Sequence, residues 1–144
     1  MKKIFKIDAA LYPLGLLTAA TGFAFHAAGH GTSHQQWEVW AYAHSIVAMA
    51  FVAMIIQHLT THKGWVKGLR DMKLWAKRKF TMLLGVVAVV AAATGVALLA
   101  IQGANTHTGA VHYRLGIALV VVGLSHSAKR LPTLLRAIKK IRQQ

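Results

Sequence analysis

The chain has 144 residues, 56% hydrophobic and 14% charged, which makes it one domain and too apolar for an ordinary water-soluble protein. It holds no cysteine, which excludes disulfides, iron–sulfur clusters, thiolate zinc sites and covalently attached c-type haem. A net charge of +14 does not point to nucleic acid, because the basic residues fall in three short clusters between long uncharged runs, the layout of a membrane topology signal.

The first apolar run, residues 9–28, follows Lys2, Lys3 and Lys6. It is about as long as a full membrane span rather than the ~7–15-residue core of a signal peptide, so it reads as a retained first helix. An outer loop over 29–36 leads to a second span over 37–60, with Trp37 and Trp40 at its outer end as interface anchors. Seven basic residues follow (Lys63, Lys67, Arg70, Lys73, Lys77, Arg78 and Lys79). Within them the segment from Trp65 to Trp75, with Leu69 and Met72 between, reads as a short amphipathic turn along the inner surface.

The third span, 80–101, has no charged residue. A loop over 102–109 leads to the fourth, 110–128, which is weaker by hydropathy because it carries histidines and Arg114. Six basic residues close the chain (Lys129, Arg130, Arg136, Lys139, Lys140 and Arg142). Sixteen of the 17 basic residues therefore lie on one side, and the positive-inside rule puts both termini and the middle loop in the cytoplasm. The expected fold is an all-α membrane protein, a four-transmembrane-helix up-down bundle over residues 1–144.

An internal repeat runs through these spans. Thr21-Gly22 recurs as Thr94-Gly95 at an offset of 73, and His44/His58 recurs as His112/His126 at an offset of 68. The chain reads as a duplicated helical hairpin, with the five-residue difference expected in the outer loops. Gly22 and Gly95 suit either the close approach of a helix to a flat cofactor or ordinary small-residue helix packing.

Each histidine pair is fourteen residues apart, about 40° short of four turns, so its members share one helix face at roughly 21 Å along the axis. Spans two and four run in the same direction, which sets His44 level with His112 near the outer surface and His58 level with His126 near the inner one. Two such helices suit two bis-histidine haems: neutral imidazole binds the iron through one nitrogen while its other N–H needs an acceptor. A lone membrane histidine is ordinarily a hydrogen-bonding core residue, and His30 and His44 are also fourteen apart, across a glycine-containing loop. The same interval on two parallel spans at matching depths is what chance does not readily supply.

Other candidates are less determined. His62, one turn beyond His58, is a rival inner ligand. His26, His30, His34 and His107 crowd the outer side, where a quinone pocket, haem propionates, a transition metal or plain solvation would each use them. Arg114 has few acids to pair with, only Asp8, Glu38 and Asp71, so an outer-haem propionate and snorkelling to the interface are both open.

Two histidines fourteen apart on each of two parallel helices, and the run from Trp37 through His44 to His58-Leu59-Thr60-Thr61-His62, resemble the small prokaryotic cytochrome b-561-like group. That group includes the membrane cytochrome b subunits of formate dehydrogenase and hydrogenase, and the resemblance covers roughly residues 8–130. It implies non-covalent b-type haem, a bacterial inner membrane, and electron exchange with quinone or a partner redox protein. No quinol-oxidation motif of the larger respiratory cytochromes is recognisable. The expected function is transmembrane electron transfer by a di-haem cytochrome b that links an outer-face redox partner to quinone or a cytoplasmic-side acceptor. This makes it an electron-transfer subunit more readily than a complete enzyme. Its rivals are a stand-alone oxidoreductase acting on quinone or a small oxygen species, and a haem-free histidine-rich metal transporter or structural membrane subunit.

Overall fold

The computed structural model describes residues 3–70, 72–101 and 106–142, and among them every regular element is helical. Four helices are long: α1 (Lys3–Ala28), α2 (His34–Thr61), α5 (Lys79–Ile101) and α6 (His107–Arg142). The short α3 (Lys63–Lys67), a 3-10 turn (Gly68–Arg70) and α4 (Met72–Lys77) join the second to the third. The four long helices are long and apolar enough to cross a membrane, over Phe5–Ala28, His34–Thr61, Lys79–Ile101 and His107–Arg136.

Their surfaces agree with lipid as the solvent. Among the described residues the buried hydrophobic ones are only Ile7, Ala28, Met82, Ala91 and Leu134, and no polar residue is buried. Larger apolar side chains point outward, with Tyr42 69% and Ile46 70% exposed. In water such exposure would forgo about 25 cal/mol for every Å² left unburied; against acyl chains it costs nothing. The chain is a multi-pass membrane protein.

The structure divides into two compact units, one of residues 67–132 and one of the residues up to Val66 together with those from Thr133 onward. In the latter, α1 and α2 form an antiparallel hairpin. Its turn is closed locally: the Gly29 N–H reaches the Phe25 and His26 carbonyls at 3.2 and 3.1 Å, and Thr32 Oγ1 donates to the Ala28 carbonyl at 2.8 Å. Ser33 then caps α2 by accepting from the Gln36 N–H at 3.3 Å. Down the hairpin Phe25 meets Trp37 at 5.4 Å between ring centroids, and Gly15 faces Phe51.

In the other unit α5 and α6 are antiparallel as well, with Leu84 against Gly123 and Lys129 above the Phe80 ring. The segment between the hairpins is three short helical pieces, tied by Trp75 Nε1 donating to the Leu69 carbonyl at 2.8 Å. The side chain of Trp65, Asp71 and residues 102–105 of the expected outer loop lie outside the described residues.

Two expectations need correction. The fourth helix does not stop near 128 but runs to Arg142, through Pro132. Charge ends a hydropathic span without ending a helix, and Leu, Ala, Lys and Arg all favour one. The five-residue difference between the repeats also lies elsewhere than in the outer loops. Helix α2 starts at His34, ten residues before His44, whereas α6 starts at His107, five before His112. The extra length is helical, because Ser33 caps α2 more than a turn further from the repeated histidine.

Candidate functional site

At the turn end of the first hairpin, termed outer because the charge pattern expects it there (the opposite end being termed inner), α1 presents Thr21 and Gly22 to His44 of α2. Thr21 Oγ1 lies 2.8 Å from the Leu17 carbonyl and 3.2 Å from that of Thr18, so its single hydrogen is spent inside its own helix. Its oxygen can then only accept from His44 Nδ1, 3.3 Å away. Gly22 makes the approach possible, since a Cβ there would come within 3.0 Å of His44 Cε1. Phe25 stacks beside the imidazole, with centroids 6.4 Å apart and planes 22° apart.

The second hairpin repeats this arrangement. Thr94 Oγ1 donates to the Val90 and Ala91 carbonyls at 2.9 and 3.0 Å, and His112 Nδ1 lies 3.0 Å from that oxygen. Nδ1 is also 3.1 Å from the Ala91 carbonyl. A carbonyl has no hydrogen to give, so Nδ1 must carry the proton. A Cβ at Gly95 would again reach 3.0 Å from the ring Cε1. Both glycines serve the close approach of a histidine ring, and both threonines, noticed in the sequence only as markers of the repeat, hold that ring.

At the inner end of the first hairpin, His58 Nδ1 lies 2.8 Å from Asp8 Oδ1, both groups about 30% exposed. The carboxylate accepts, so Nδ1 is protonated here too. Both groups are half-buried, and the 2.8 Å contact fixes the orientation of the imidazole ring. His62 lies one turn on, its ring centroid 4.6 Å from that of His58 and its plane tilted by 55°. Asp8, His58 and His62 each bring a ligand atom, all within 4.8 Å of one another, so together they can hold a metal ion.

The inner end of the second hairpin is built differently. His126 lines a cleft of about 630 Å³ with Lys77, Arg78, Lys79, Phe80, Thr81, Val122, Ser125, Lys129 and Arg130. By the repeat offsets Thr81 stands where the first hairpin has Asp8, and Arg130 where it has His62.

The remaining candidates spread over the outer ends. His26 and His30 meet edge to face at 4.8 Å. His34 pairs with Glu38 at 3.3 Å and stacks on Trp37, an exposed arrangement at the start of α2. His107 is the exposed first residue of α6, and Arg114 is exposed one turn beyond Ala110. Asp8, one residue before the expected first span, is a candidate that sequence reasoning weighed only as an acid; the structure brings it to His58.

Comparison with protein-family models, curated proteins and solved structures returns no match for this chain.

Proposed function

We propose that the chain is a di-haem b-type cytochrome of the bacterial inner membrane, moving electrons across it between an outer-face redox partner and quinone or a cytoplasmic-side acceptor. One observation carries the reading. In His44, His112 and His58 the Nδ1 atom faces a group that can accept its proton: Thr21 Oγ1, Thr94 Oγ1 with the Ala91 carbonyl, and Asp8 Oδ1. Neutral imidazole in that tautomer directs its lone pair through Nε2, the form in which it binds haem iron, with the partner on Nδ1 fixing the ring plane.

In this reading His44 and His112 are the axial pair of the outer haem, and His58 and His126 of the inner one. Haem supplies the reversible one-electron step when bound. The protein's residues do the rest: Thr21 and Thr94 aim the outer rings, Gly22 and Gly95 make room for them, and Asp8 makes His58 the more basic ligand. Arg114 serves the outer haem's propionates, and Gly22 and Gly95 act on the cofactor through the histidines. The small soluble mass fits a subunit of a redox complex rather than a complete enzyme.

The test is electron paramagnetic resonance of the oxidised, purified protein. Two low-spin ferric signals with the anisotropy of bis-imidazole ligation support the reading, and a high-spin signal alone contradicts it.

A second reading rests on Asp8, His58 and His62, whose donor atoms suit a first-row divalent cation such as Zn²⁺ better than a porphyrin. It predicts a colourless protein that retains zinc through dialysis and loses it in His62→Ala.

A further inference from the structure

The two inner ends differ most in charge. In the first hairpin the positions beside the ligand histidine are Asp8 and His62; in the second they are Thr81 and Arg130. Around Arg130 stand Lys77, Arg78, Lys79 and Lys129, and no carboxylate lines the cleft. Five cations around one opening, with no anion among the lining residues, repel one another unless a negative charge is brought in.

The cleft is also a built one. Lys129 Nζ sits 4.7 Å from the Phe80 ring centroid, a cation–π contact that orients the exposed ammonium along the wall of the cleft. Thr81 and Ser125 add hydroxyl groups to the lining, while Phe80 and Val122 supply apolar surface. The membrane-spanning stretch of α5 begins at Lys79, so the cleft lies where a span meets the interface.

We propose that this cleft binds the phosphate of an anionic phospholipid headgroup. Basic pockets beside transmembrane helices on the cytoplasmic side recognise such headgroups, and that leaflet is where anionic lipids concentrate. The apolar residues beside the cations favour a lipid over free phosphate, because a diester brings hydrocarbon with it. The cleft shares His126 with the proposed inner haem, so the proposal rests on a haem held there leaving the basic rim of Lys77, Arg78, Lys129 and Arg130 open to the headgroup.

The test uses the full-length protein as purified, in zwitterionic detergent, with bound lipid counted by native mass spectrometry. Phosphatidylglycerol should be retained well above phosphatidylcholine. K129Q/R130Q should weaken that retention roughly 10- to 30-fold, at about fivefold for each charge removed near the surface. K77Q/R78Q should do the same and serves if the first variant does not fold. K67Q/K73Q removes equal charge from exposed residues outside the cleft and should change retention less than twofold.

Equal retention of both lipids overturns the proposal, as does an equal loss in the K67Q/K73Q control, which would mean diffuse attraction to a basic surface. Displacement of phosphatidylglycerol by millimolar inorganic phosphate would assign the cleft to free phosphate instead. Binding that occurs only after haem extraction would assign it to the haem carboxylates.

Discussion

In the first hairpin Thr21 and Gly22 receive the ring of His44; in the second Thr94 and Gly95 receive that of His112 at the same atoms. In both, the hydroxyl hydrogen is given to the carbonyls three and four residues back, which leaves the oxygen as an acceptor. The inner ends have no such likeness. One offers His58 a carboxylate at 2.8 Å, and the other surrounds His126 with lysine and arginine. The two hairpins are alike in the part that holds a histidine ring without charge. They differ in the charged part: a carboxylate in one, a cleft lined by lysine and arginine in the other.

The largest expected effect separates outer from inner. His44→Ala or His112→Ala should remove about half the haem, all of it from the outer site, and His58→Ala or His126→Ala the other half. Redox titration of each variant would show which midpoint disappears. Loss of the inner haem in His62→Ala with retention in His58→Ala would move the inner ligand one turn along α2.

Next come the glycines. Gly95→Ala places a Cβ at 3.0 Å from an imidazole carbon whose ring is held at two acceptors, whereas His44 is held at one. Overpacking of this kind costs about 1–3 kcal/mol. The outer haem should therefore dissociate more readily in both alanine variants, and more so in Gly95→Ala than in Gly22→Ala, as followed by haem transfer to apomyoglobin. Equal behaviour would show that the second acceptor on His112 adds nothing.

Asp8→Asn sharpens the inner contrast. A carboxylate on Nδ1 makes the imidazole a stronger donor and favours the ferric state, so its removal should raise the inner midpoint potential. At about 7 Å from the iron and an effective dielectric near 20, the change is on the order of 100 mV. The outer haem should be unaffected, which distinguishes tuning from a general loss of structure. Arg114→Gln should have the smallest effect, lowering the outer potential by a few tens of mV, because Arg114 is exposed and its charge is screened. No change in either potential would leave Arg114 as an interfacial anchor.

Much of this architecture was legible in the sequence. The four spans follow from uncharged length, and α5 is helical through the whole of its expected span, 80–101, since no charge or proline interrupts it. The end of α6 was hidden because its last turns are helical without being apolar, so hydropathy registers Lys129 and Arg130 as a boundary. At the candidate site, spacing proposed four histidines, and the structure sets Thr21, Thr94 and Asp8 against Nδ1 of three of them, His44, His112 and His58. Asp8 escaped because it is fifty residues from His58 and meets it only through the register of the hairpin, set by Gly15 on Phe51 and Gly22 on His44. The difference between the inner ends was present as Thr81 against Asp8, but it becomes visible only when the two helices of each hairpin are paired.

The central claim is that each matched histidine pair holds one haem, and the pyridine haemochrome assay on the purified chain tests it most directly. The account predicts b-type haem at two per chain, falling to one when either member of a pair is replaced by alanine. A ratio of one in the unaltered protein would contradict the two-site arrangement, and a protein without haem absorption would contradict the account as a whole.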